Sequence, residues 1–202
     1  SSELGKRIVQ NAIELINELG FDNFTFKKLG ARIGSSESTV YRYFENKHQL
    51  LVYLINWYWS WVEYRMLFAI QNINDFKEKL HRVVYEVTCE VKDDIRTEYI
   101  DEAVLNRIII SEYSKAFLTK EGDKKKKEVF FLVYKKVISL LANIIAEVNP
   151  EYPYSKSLAS SVVVGALNQH FIKRHFKSIT DFSEPDKNVA SFYIQTLDKI
   201  LL

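Results

Sequence analysis

A cluster of polar side chains follows two consecutive serines in the N-terminal part of the chain. Its members are Glu37, Ser38, Tyr41 and Arg42. If a helix begins after Ser36, they lie away from its inward side, where Val40 and Phe44 are four residues apart. Carboxylates, hydroxyls, aromatic rings and guanidinium groups can contact base edges in the DNA major groove. The spacing therefore predicts a short helix with the chemistry to read such a groove.

A second short helix is predicted immediately before this one. Thr25 is a good N-cap residue for a helix over residues 27–33, and Gly34 ends that helix. Ser35 or Ser36 can then cap the next helix. Two short helices joined by a tight glycine turn form a helix-turn-helix, and the second helix has the size to enter a major groove.

This segment resembles the DNA-binding module of the TetR family of bacterial transcriptional regulators. The matching signature consists of Gly34, Ser36, Val40, Tyr41, Phe44 and Lys47. The helix predicted before it, over residues 3–20, is also similar, with an apolar stripe that ends at Gly20 and Phe21. The detailed resemblance covers about the first quarter of the chain, and the remainder is similar in length and helical character.

The resemblance implies an all-α fold with two parts. Residues 1–46 would form an N-terminal three-helix DNA-binding domain, and residues 47–202 a larger helical domain for effector binding and dimerisation. The implied function is that of a ligand-responsive repressor that binds a palindromic operator in double-stranded DNA as a homodimer. A small, mostly apolar effector would release it. No cofactor and no enzymatic activity are expected.

The resemblance also implies which residues touch DNA. Base edges would be approached by Lys27, Glu37, Ser38 and Tyr41, and phosphates by Thr25, Thr39, Arg42, Tyr43 and Lys47. Lysine can donate to guanine, glutamate can accept from cytosine, and an aromatic ring can pack on a thymine methyl group. Gly30, Ser35 and Glu37 depart from the family pattern, in which an alanine, a small aliphatic residue and a neutral or basic residue are more frequent.

The fourth predicted helix is rich in aromatic residues between positions 53 and 68, where all three tryptophans of the chain lie. Aromatic stripes at helical spacing are more often core than binding pocket. The resemblance supports a second interpretation, an apolar effector chamber enclosed by helices four to eight. Its lining would include Trp57, Trp61, Tyr64, Tyr85, Cys89 and Tyr113. Both interpretations stay open at this point.

Composition favours long helices in a soluble protein. The chain has 202 residues, 47% of them hydrophobic, with only 6 glycines and 3 prolines. The single cysteine excludes an internal disulfide and suits a reducing cytoplasm, where we expect the protein to be. No apolar run reaches the roughly 18 residues of a membrane span, so no membrane partner is expected.

The net charge of +2 means that any DNA-binding surface must be a local one. Basic residues near the N-terminus that could supply it are Lys6, Arg7, Lys27, Lys28, Arg32, Arg42 and Lys47. Acidic residues among them dilute this surface. One small patch predicts modest binding by a monomer and useful affinity only when two patches act together.

Periodicity and breakers place the helices along the chain. They are predicted over residues 3–20, 27–33, 36–44, 47–68, 76–91, 95–117, 128–148, 155–175 and 185–202. A break is predicted near residues 99–101, and residues 119–127 read as a polar loop. The helices over 128–148 and 155–175 would pair with those of a second subunit, as in the family.

No catalytic or metal-binding constellation is evident in the sequence. His170 and His175 are five residues apart and do not share a helix face, which argues against a common metal site. Two other functions remain open. One is an all-helical small-molecule binding protein or enzyme whose N-terminal module no longer reads DNA, and the other is a structural protein that coats the chromosome without sequence preference.

Overall fold

The helices of the protein were located in a computed structural model that describes residues 2–91, 99–113, 115, 124–184 and 186–202, with only the backbone described for residues 124–131. Within these residues the regular structure is entirely helical, which confirms the predicted all-α class. The helices are α1 (Glu3–Leu19), α2 (Phe26–Arg32), α3 (Glu37–Tyr41), α4 (Lys47–Ala69), α5 (Phe76–Thr88), α6 (Glu102–Glu112), α7 (Lys124–Val148), α8 (Ser155–His175) and α9 (Val189–Leu201).

Most helix starts follow from side-chain caps that are visible in the sequence. In each case a side-chain oxygen accepts a hydrogen bond from the backbone N–H three residues later. The capping residues are Ser2, Thr25, Ser36, Asn46, Asp75, Asp101 and Asn188. The shortest of these contacts joins Glu78 N to Asp75 Oδ1, at 2.6 Å.

Some predicted boundaries are wrong. The last helix begins at Val189, after its Asn188 cap, and not at residue 185. Helix α7 begins at Lys124, so the polar loop predicted over residues 119–127 is too long, and residues 119–123 lie outside the described part of the chain. Helix α5 ends at Thr88, three residues early, because Cys89 turns to an extended backbone conformation.

The chain divides into two compact units, and α4 contributes to both. The first consists of Ser1–Tyr58 and Val91–Lys127, and the second of Trp59–Glu90 and Glu128–Leu202. The functional boundary predicted between residues 46 and 47 stays a prediction. None of the helices in the described ranges is long and apolar enough to cross a bilayer.

The first unit has a core shared by its short helices, the first part of α4, and α6. Its largest fully buried side chains are Ile8, Ile13, Phe24, Leu29, Leu50, Leu51, Leu54, Ile55, Leu105 and Ile109. A buried hydrogen bond of 2.8 Å joins Asn106 Nδ2 of α6 to the Tyr58 hydroxyl of α4. On the surface, Arg107 donates to the side chain of Asn17 at 3.3 Å. Helix α6 is therefore joined to both α1 and α4 within this unit.

In the second unit, α5, α8 and α9 pack against one another. The His81 ring bonds Asp198 at 2.7 Å, which joins α5 to α9, and His170 bonds the backbone oxygen of Thr88 at 2.9 Å, which joins α8 to α5. Burial lowers the pKa of His170. A neutral imidazole with one N–H suffices for a bond to a carbonyl, so this contact does not depend on protonation.

Helices α8 and α9 are in close contact at Gly165. A Cβ at this position would lie 2.2 Å from the Tyr193 hydroxyl oxygen and 3.2 Å from its ring carbon Cζ. Tyr193 packs beside the buried Ala166, Phe182 and Val189. The glycine therefore makes room for the tyrosine.

Replacing Gly165 with alanine is expected to destabilise the protein. Forcing extra atoms into a packed interior costs about 1–3 kcal/mol, which outweighs the roughly 1 kcal/mol that alanine gains over glycine inside a helix. Tyr193→Phe removes the nearest atom, so the double variant should be more stable than the sum of the two single changes. Urea unfolding of the four proteins measures this coupling. Purely additive effects would contradict the close contact.

Candidate nucleic-acid interface

The turn between α2 and α3 depends on two glycines. Gly34 has φ = +64°, a left-handed conformation that residues with a side chain seldom adopt. Gly30 lies against the start of α3: an added Cβ would be 3.0 Å from the Ser35 carbonyl oxygen and 3.1 Å from Glu37 N. The departure of Gly30 from the family pattern thus has a physical reason, because α3 begins unusually close to α2.

Three hydroxyl groups meet where α3 begins. Ser36 Oγ caps the helix by accepting from Thr39 N at 3.3 Å. The same oxygen lies 2.8 Å from Ser38 Oγ and 2.9 Å from Thr39 Oγ1. Each hydroxyl has one donor and two acceptor sites, so Ser38 and Thr39 keep capacity for another partner. Ser38 is exposed and Thr39 half-buried.

The two sides of α3 differ sharply in exposure. Val40 is fully buried, whereas its neighbour Tyr41 keeps 51% of its surface exposed. The Tyr41 ring packs edge-on against Phe26 of α2, with the ring centroids 5.0 Å apart. Phe26 is itself buried and packs edge-on against Phe24. One edge of Tyr41 is therefore fixed by the protein, and the remainder faces outward.

Most basic residues near this surface are used within the protein. Arg7 Nη2 donates to the Ile33 carbonyl at 2.7 Å, and Lys28 Nζ donates to the Asn23 carbonyl at 2.8 Å. Arg32 pairs with two carboxylates of α1, those of Glu14 at 3.0 Å and Glu18 at 2.6 Å. Its hydrogen bond lowers the pKa of Glu18.

Lys47, which the resemblance places on a phosphate, also points inward. Its ammonium donates to the backbone oxygens of Phe21, Asp22 and Phe24 at 3.0, 3.0 and 3.2 Å. It also lies 4.9 Å from the centre of the Phe21 ring. Lys47 therefore holds the turn between α1 and α2.

Lys27 and Arg42 are the exceptions. Both are exposed. In the part of the chain that the structure describes, neither side chain makes a hydrogen bond or an ion pair. Fewer basic side chains are therefore available to contact DNA than the number predicted from the sequence.

The remaining predicted contacts have mixed surroundings. Thr25 is exposed, and its hydroxyl caps α2. Tyr43 is 40% exposed, and its hydroxyl lies 2.9 Å from Ser2 Oγ at the start of α1. Glu37 is half-buried in the first turn of α3, where a carboxylate is favoured by the helix dipole. The structure thus gives Glu37 a local role besides any contact with a base. DNA contact by all these residues stays a prediction.

In the second unit, two of the predicted effector-lining residues are joined by Arg65. Its guanidinium lies 4.7 Å from the centre of the Trp61 ring, and its Nη2 donates to Cys89 Sγ at 3.7 Å. Arg65 also forms an ion pair with Glu86. Burial raises the pKa of the Cys89 thiol, although Arg65 opposes that effect. The Cys89 thiol is thus half-buried and lies beside the Arg65–Glu86 ion pair.

The other predicted lining residues are spread over the protein. Tyr64 and Tyr85 of the second unit are 63% and 52% exposed. Tyr64 stacks on Phe68, which is also exposed. Trp57 and Tyr113 are half-buried and belong to the first unit. Their membership of an effector chamber stays a prediction. Across the described residues, no group of three histidine, cysteine, aspartate or glutamate side chains could hold a metal ion.

The sequence did not predict the contacts by which three residues hold predicted functional groups in place. Phe26, Arg7 and Arg65 each orient a predicted functional group or a helix end through a contact with another helix. Phe26 could have been found, since it follows the Thr25 cap directly and is the most apolar residue of the first turn. The partners of Arg7 and Arg65 lie 26 and 24 residues away, where local periodicity carries no signal.

Gly34→Ala is expected to destabilise the helix-turn-helix by about 1–2 kcal/mol, the usual cost of a side chain in the left-handed region. No described atom lies within 4 Å of the added Cβ, so crowding is not the cause. Gly34→Asn should lose less, because asparagine tolerates this conformation better. Urea unfolding compares the two variants with the parent protein. Equal losses for alanine and asparagine would rule out backbone conformation as the cause.

Comparison with known proteins places these features in a family. Residues 8–54 match the family model for bacterial regulatory proteins of the tetR family. The same segment contains the α2–α3 turn, the Ser36 cap and Tyr41. The comparison with curated proteins found no significant match.

Solved structures share the fold over nearly the whole chain. A bacterial regulatory protein in the tetR family from Rhodococcus RHA1 has a TM-score of 0.72 and 16% identity, with coverage of 100% of this chain and 98% of that one. AibR, solved with isovaleryl coenzyme A and operator DNA, has a TM-score of 0.64 and 20% identity, covering 96% and 95%. The TetR-family regulator PfmR from Thermus thermophilus has a TM-score of 0.63 and 15% identity, covering 96% and 97%. Residues 8–54 therefore match the helix-turn-helix segment of the bacterial regulatory proteins of the tetR family, and the chain as a whole shares the fold of solved tetR-family regulators.

Proposed function

We propose that this protein is a ligand-responsive transcriptional repressor that binds a palindromic operator as a homodimer. The observation that carries the proposal is the asymmetry of α3, where Val40 is fully buried and Tyr41 is half exposed. A helix with this asymmetry is anchored on one side and presents side chains on the other. That is the arrangement by which a recognition helix enters a major groove.

Direct readout would come from the exposed edge of the helix-turn-helix. Lys27 can donate to guanine O6 and N7, and the free part of the Tyr41 ring can pack on a thymine methyl group. Ser38 and Thr39 can each add a hydrogen bond, since their hydroxyls keep unused capacity. Glu37 fits the site only where a cytosine amine satisfies its carboxylate. We therefore propose an operator half-site that contains both a G·C and an A·T pair.

Electrostatics support binding by two subunits. Lys27 and Arg42 are the exposed basic residues of the helix-turn-helix without an intramolecular partner among the described residues. Arg42 in each of two subunits neutralises about two phosphates, which predicts a slope of about −1.8 for log K against log salt, while Lys27 at a base edge adds positive charge within the groove. One subunit alone would bind weakly. Two helices held about one turn of DNA apart, roughly 34–36 Å, would read successive major grooves.

The dimer surface is proposed on the helices over residues 128–148 and 155–175. Several small residues of α8 are used within the subunit: Ala159 and Ala166 are buried, and Gly165 accommodates Tyr193. Ser161 is exposed and leaves room for a second helix to approach. A four-helix bundle formed with the second subunit is the arrangement that the family resemblance implies.

The proposed effector is a small, mostly apolar molecule. AibR was solved with isovaleryl coenzyme A, which joins a branched apolar acyl group to a large anionic carrier, and only the acyl group is similar to the effector proposed here. Of the lining residues predicted from the sequence, Trp61, Tyr64, Tyr85 and Cys89 belong to the second unit, and we propose the site there. Arg65 lies between Trp61 and Cys89 and would supply a polar anchor for such a molecule. In the homodimer, the distance between the two DNA-binding segments would differ between a DNA-bound and a DNA-free conformation. An effector that binds the DNA-free conformation more tightly would increase its population and release the operator.

The test is selection of binding sites from random duplexes, followed by footprinting and sedimentation of the protein with the selected site. We expect a palindromic site whose half-sites are about 10 base pairs apart, occupied by two chains. Binding without sequence preference would indicate a chromosome-coating protein. Absence of any enriched sequence and of salt-dependent binding would indicate a helical ligand-binding protein or enzyme that no longer reads DNA.

Tyr41→Ala is expected to weaken binding to the selected site by about 10- to 100-fold, the usual range for one lost base contact. Tyr41→Phe should bind like the parent protein, because it keeps the ring, its packing on Phe26 and any contact with a thymine methyl group. Tyr154→Ala is the matched control, since Tyr154 is 65% exposed and belongs to the second unit. Titration by fluorescence anisotropy measures the three affinities. If Tyr154→Ala lowered the affinity as much as Tyr41→Ala does, the loss would not be specific to Tyr41, and its assignment to the interface would be withdrawn.

Glu37→Gln is expected to broaden the sequence preference and to tighten binding to unselected duplexes. The change removes one negative charge per subunit beside the phosphates and lets the side chain donate as well as accept. A repeated site selection and a salt titration measure both effects. An identical motif with an identical salt slope would show that Glu37 does not face DNA.

A further inference from the structure

We propose that Lys47 is a positioning residue that holds the helix-turn-helix from within, and that it does not contact a phosphate. The proposal concerns the DNA-binding function proposed above. Only the binding measurements in its test depend on that function, whereas the unfolding and exchange measurements do not. The family resemblance implies a phosphate contact for Lys47, and the role proposed here is a different one.

The donor count of the ammonium group is the first argument. A lysine ammonium has three N–H donors and no acceptor. The Lys47 ammonium lies 3.0, 3.0 and 3.2 Å from the carbonyl oxygens of Phe21, Asp22 and Phe24. All three donors are therefore used. The Phe21 carbonyl also accepts from Phe24 N at 3.3 Å, but Lys47 is the described donor to the carbonyls of Asp22 and Phe24. A phosphate contact would require the ammonium to give up at least one of its three bonds.

The second argument is what these carbonyls control. They belong to the turn that follows Gly20, whose φ of +75° ends α1. The turn closes with a bond of 3.2 Å from Phe24 N to the Gly20 carbonyl. It leads directly into the Thr25 cap and into Phe26, the ring on which Tyr41 packs. Lys47 thus acts on Tyr41 through the turn and Phe26.

A second lysine holds the same turn. Lys115, just after α6, donates to Asp22 Oδ1 at 2.8 Å and pairs with Glu112 at 2.9 Å. This bond lowers the pKa of the Asp22 carboxyl. The Phe21 ring is contacted by both ammonium groups, at 4.9 Å from Lys47 and 5.8 Å from Lys115. The turn is therefore tied to the first residue of α4 and to the end of α6, all within the first unit.

Three variants of the full-length protein separate positioning from phosphate contact. Lys47→Met removes the ammonium and keeps an apolar stem beside Phe21. Lys47→Arg keeps the charge, but its planar fork matches a phosphate better than three carbonyls around one point. Arg42→Ala is the matched control, because Arg42 is an exposed cation without a described partner. Each variant is measured by thermal unfolding, by amide hydrogen exchange, and by the salt dependence of binding to the selected duplex.

For Lys47→Met we expect a fall in Tm of about 3–8 °C and faster amide exchange over residues 20–29. Binding at fixed salt should weaken roughly tenfold or more, because the reading helix is misplaced, with the salt slope unchanged. Lys47→Arg should keep the slope and show part of the loss in Tm. Arg42→Ala should keep the parent Tm, with a slope shallower by about 1.8 for a dimer.

The proposal is overturned if Lys47→Met keeps the parent Tm and exchange pattern and loses salt dependence as Arg42→Ala does. It is also overturned if Lys47→Arg has the parent affinity and Tm while Lys47→Met loses slope alone. Should the parent protein bind no duplex, the proposed function fails. The unfolding and exchange measurements then still decide whether Lys47 holds the turn.

Discussion

Hydrogen bonds from cationic side chains to backbone carbonyls hold the helix-turn-helix together. The carbonyls that accept these bonds lie outside the helical hydrogen-bond ladders, in the turn before α2 and at Ile33, the C-cap residue of α2. Arg7 and Lys47 supply donors from other helices, and Lys28 supplies one locally. A buried carbonyl left without such a donor costs about 1–3 kcal/mol. The reading surface rests on these bonds as much as on its small apolar core.

This use of charge limits how the protein can bind DNA. A cation that donates inward contributes to the stability of the fold and adds little to phosphate neutralisation. The chain as a whole has a net charge of only +2, with 28 basic and 26 acidic residues, so the exposed cations are nearly balanced by acidic groups. For the proposed function, affinity would then come from shape, from a small number of base contacts and from the presence of the surface on two subunits. A near-neutral regulator of this kind should depend strongly on its correct operator.

Local patterns in the sequence were sufficient to predict the order of the helices and most of their starts. Apolar residues four apart placed Val40 inside and Tyr41 outside, and short polar residues placed the caps at Thr25, Asn46 and Asp75. The orientation of long charged side chains could not be predicted in the same way. Lys47 and Arg7 each reach a partner about 25 residues away, and nothing in their neighbours distinguishes an inward lysine from an outward one. The start of α7 was misplaced because four consecutive lysines favour solvent exposure and carry no information about backbone conformation.

The proposed effector site shows the same limit, because its residues come from several helices. The aromatic residues of α4 were visible in the sequence, but Arg65, which joins Trp61 to Cys89, is not distinguished by composition or spacing. Which of the aromatic residues enclose a ligand depends on how several helices pack, and periodicity within one helix does not contain that information.

The close approach at Gly30 has a consequence for engineering. The backbone at the start of α3 occupies the space that the methyl group of an alanine would need at this position. The glycine and the first turn of α3 therefore form a matched pair. A chimaera that transplants only the recognition helix between regulators would inherit one half of that pair, so the exchangeable module runs from α2 through α3 as a single piece.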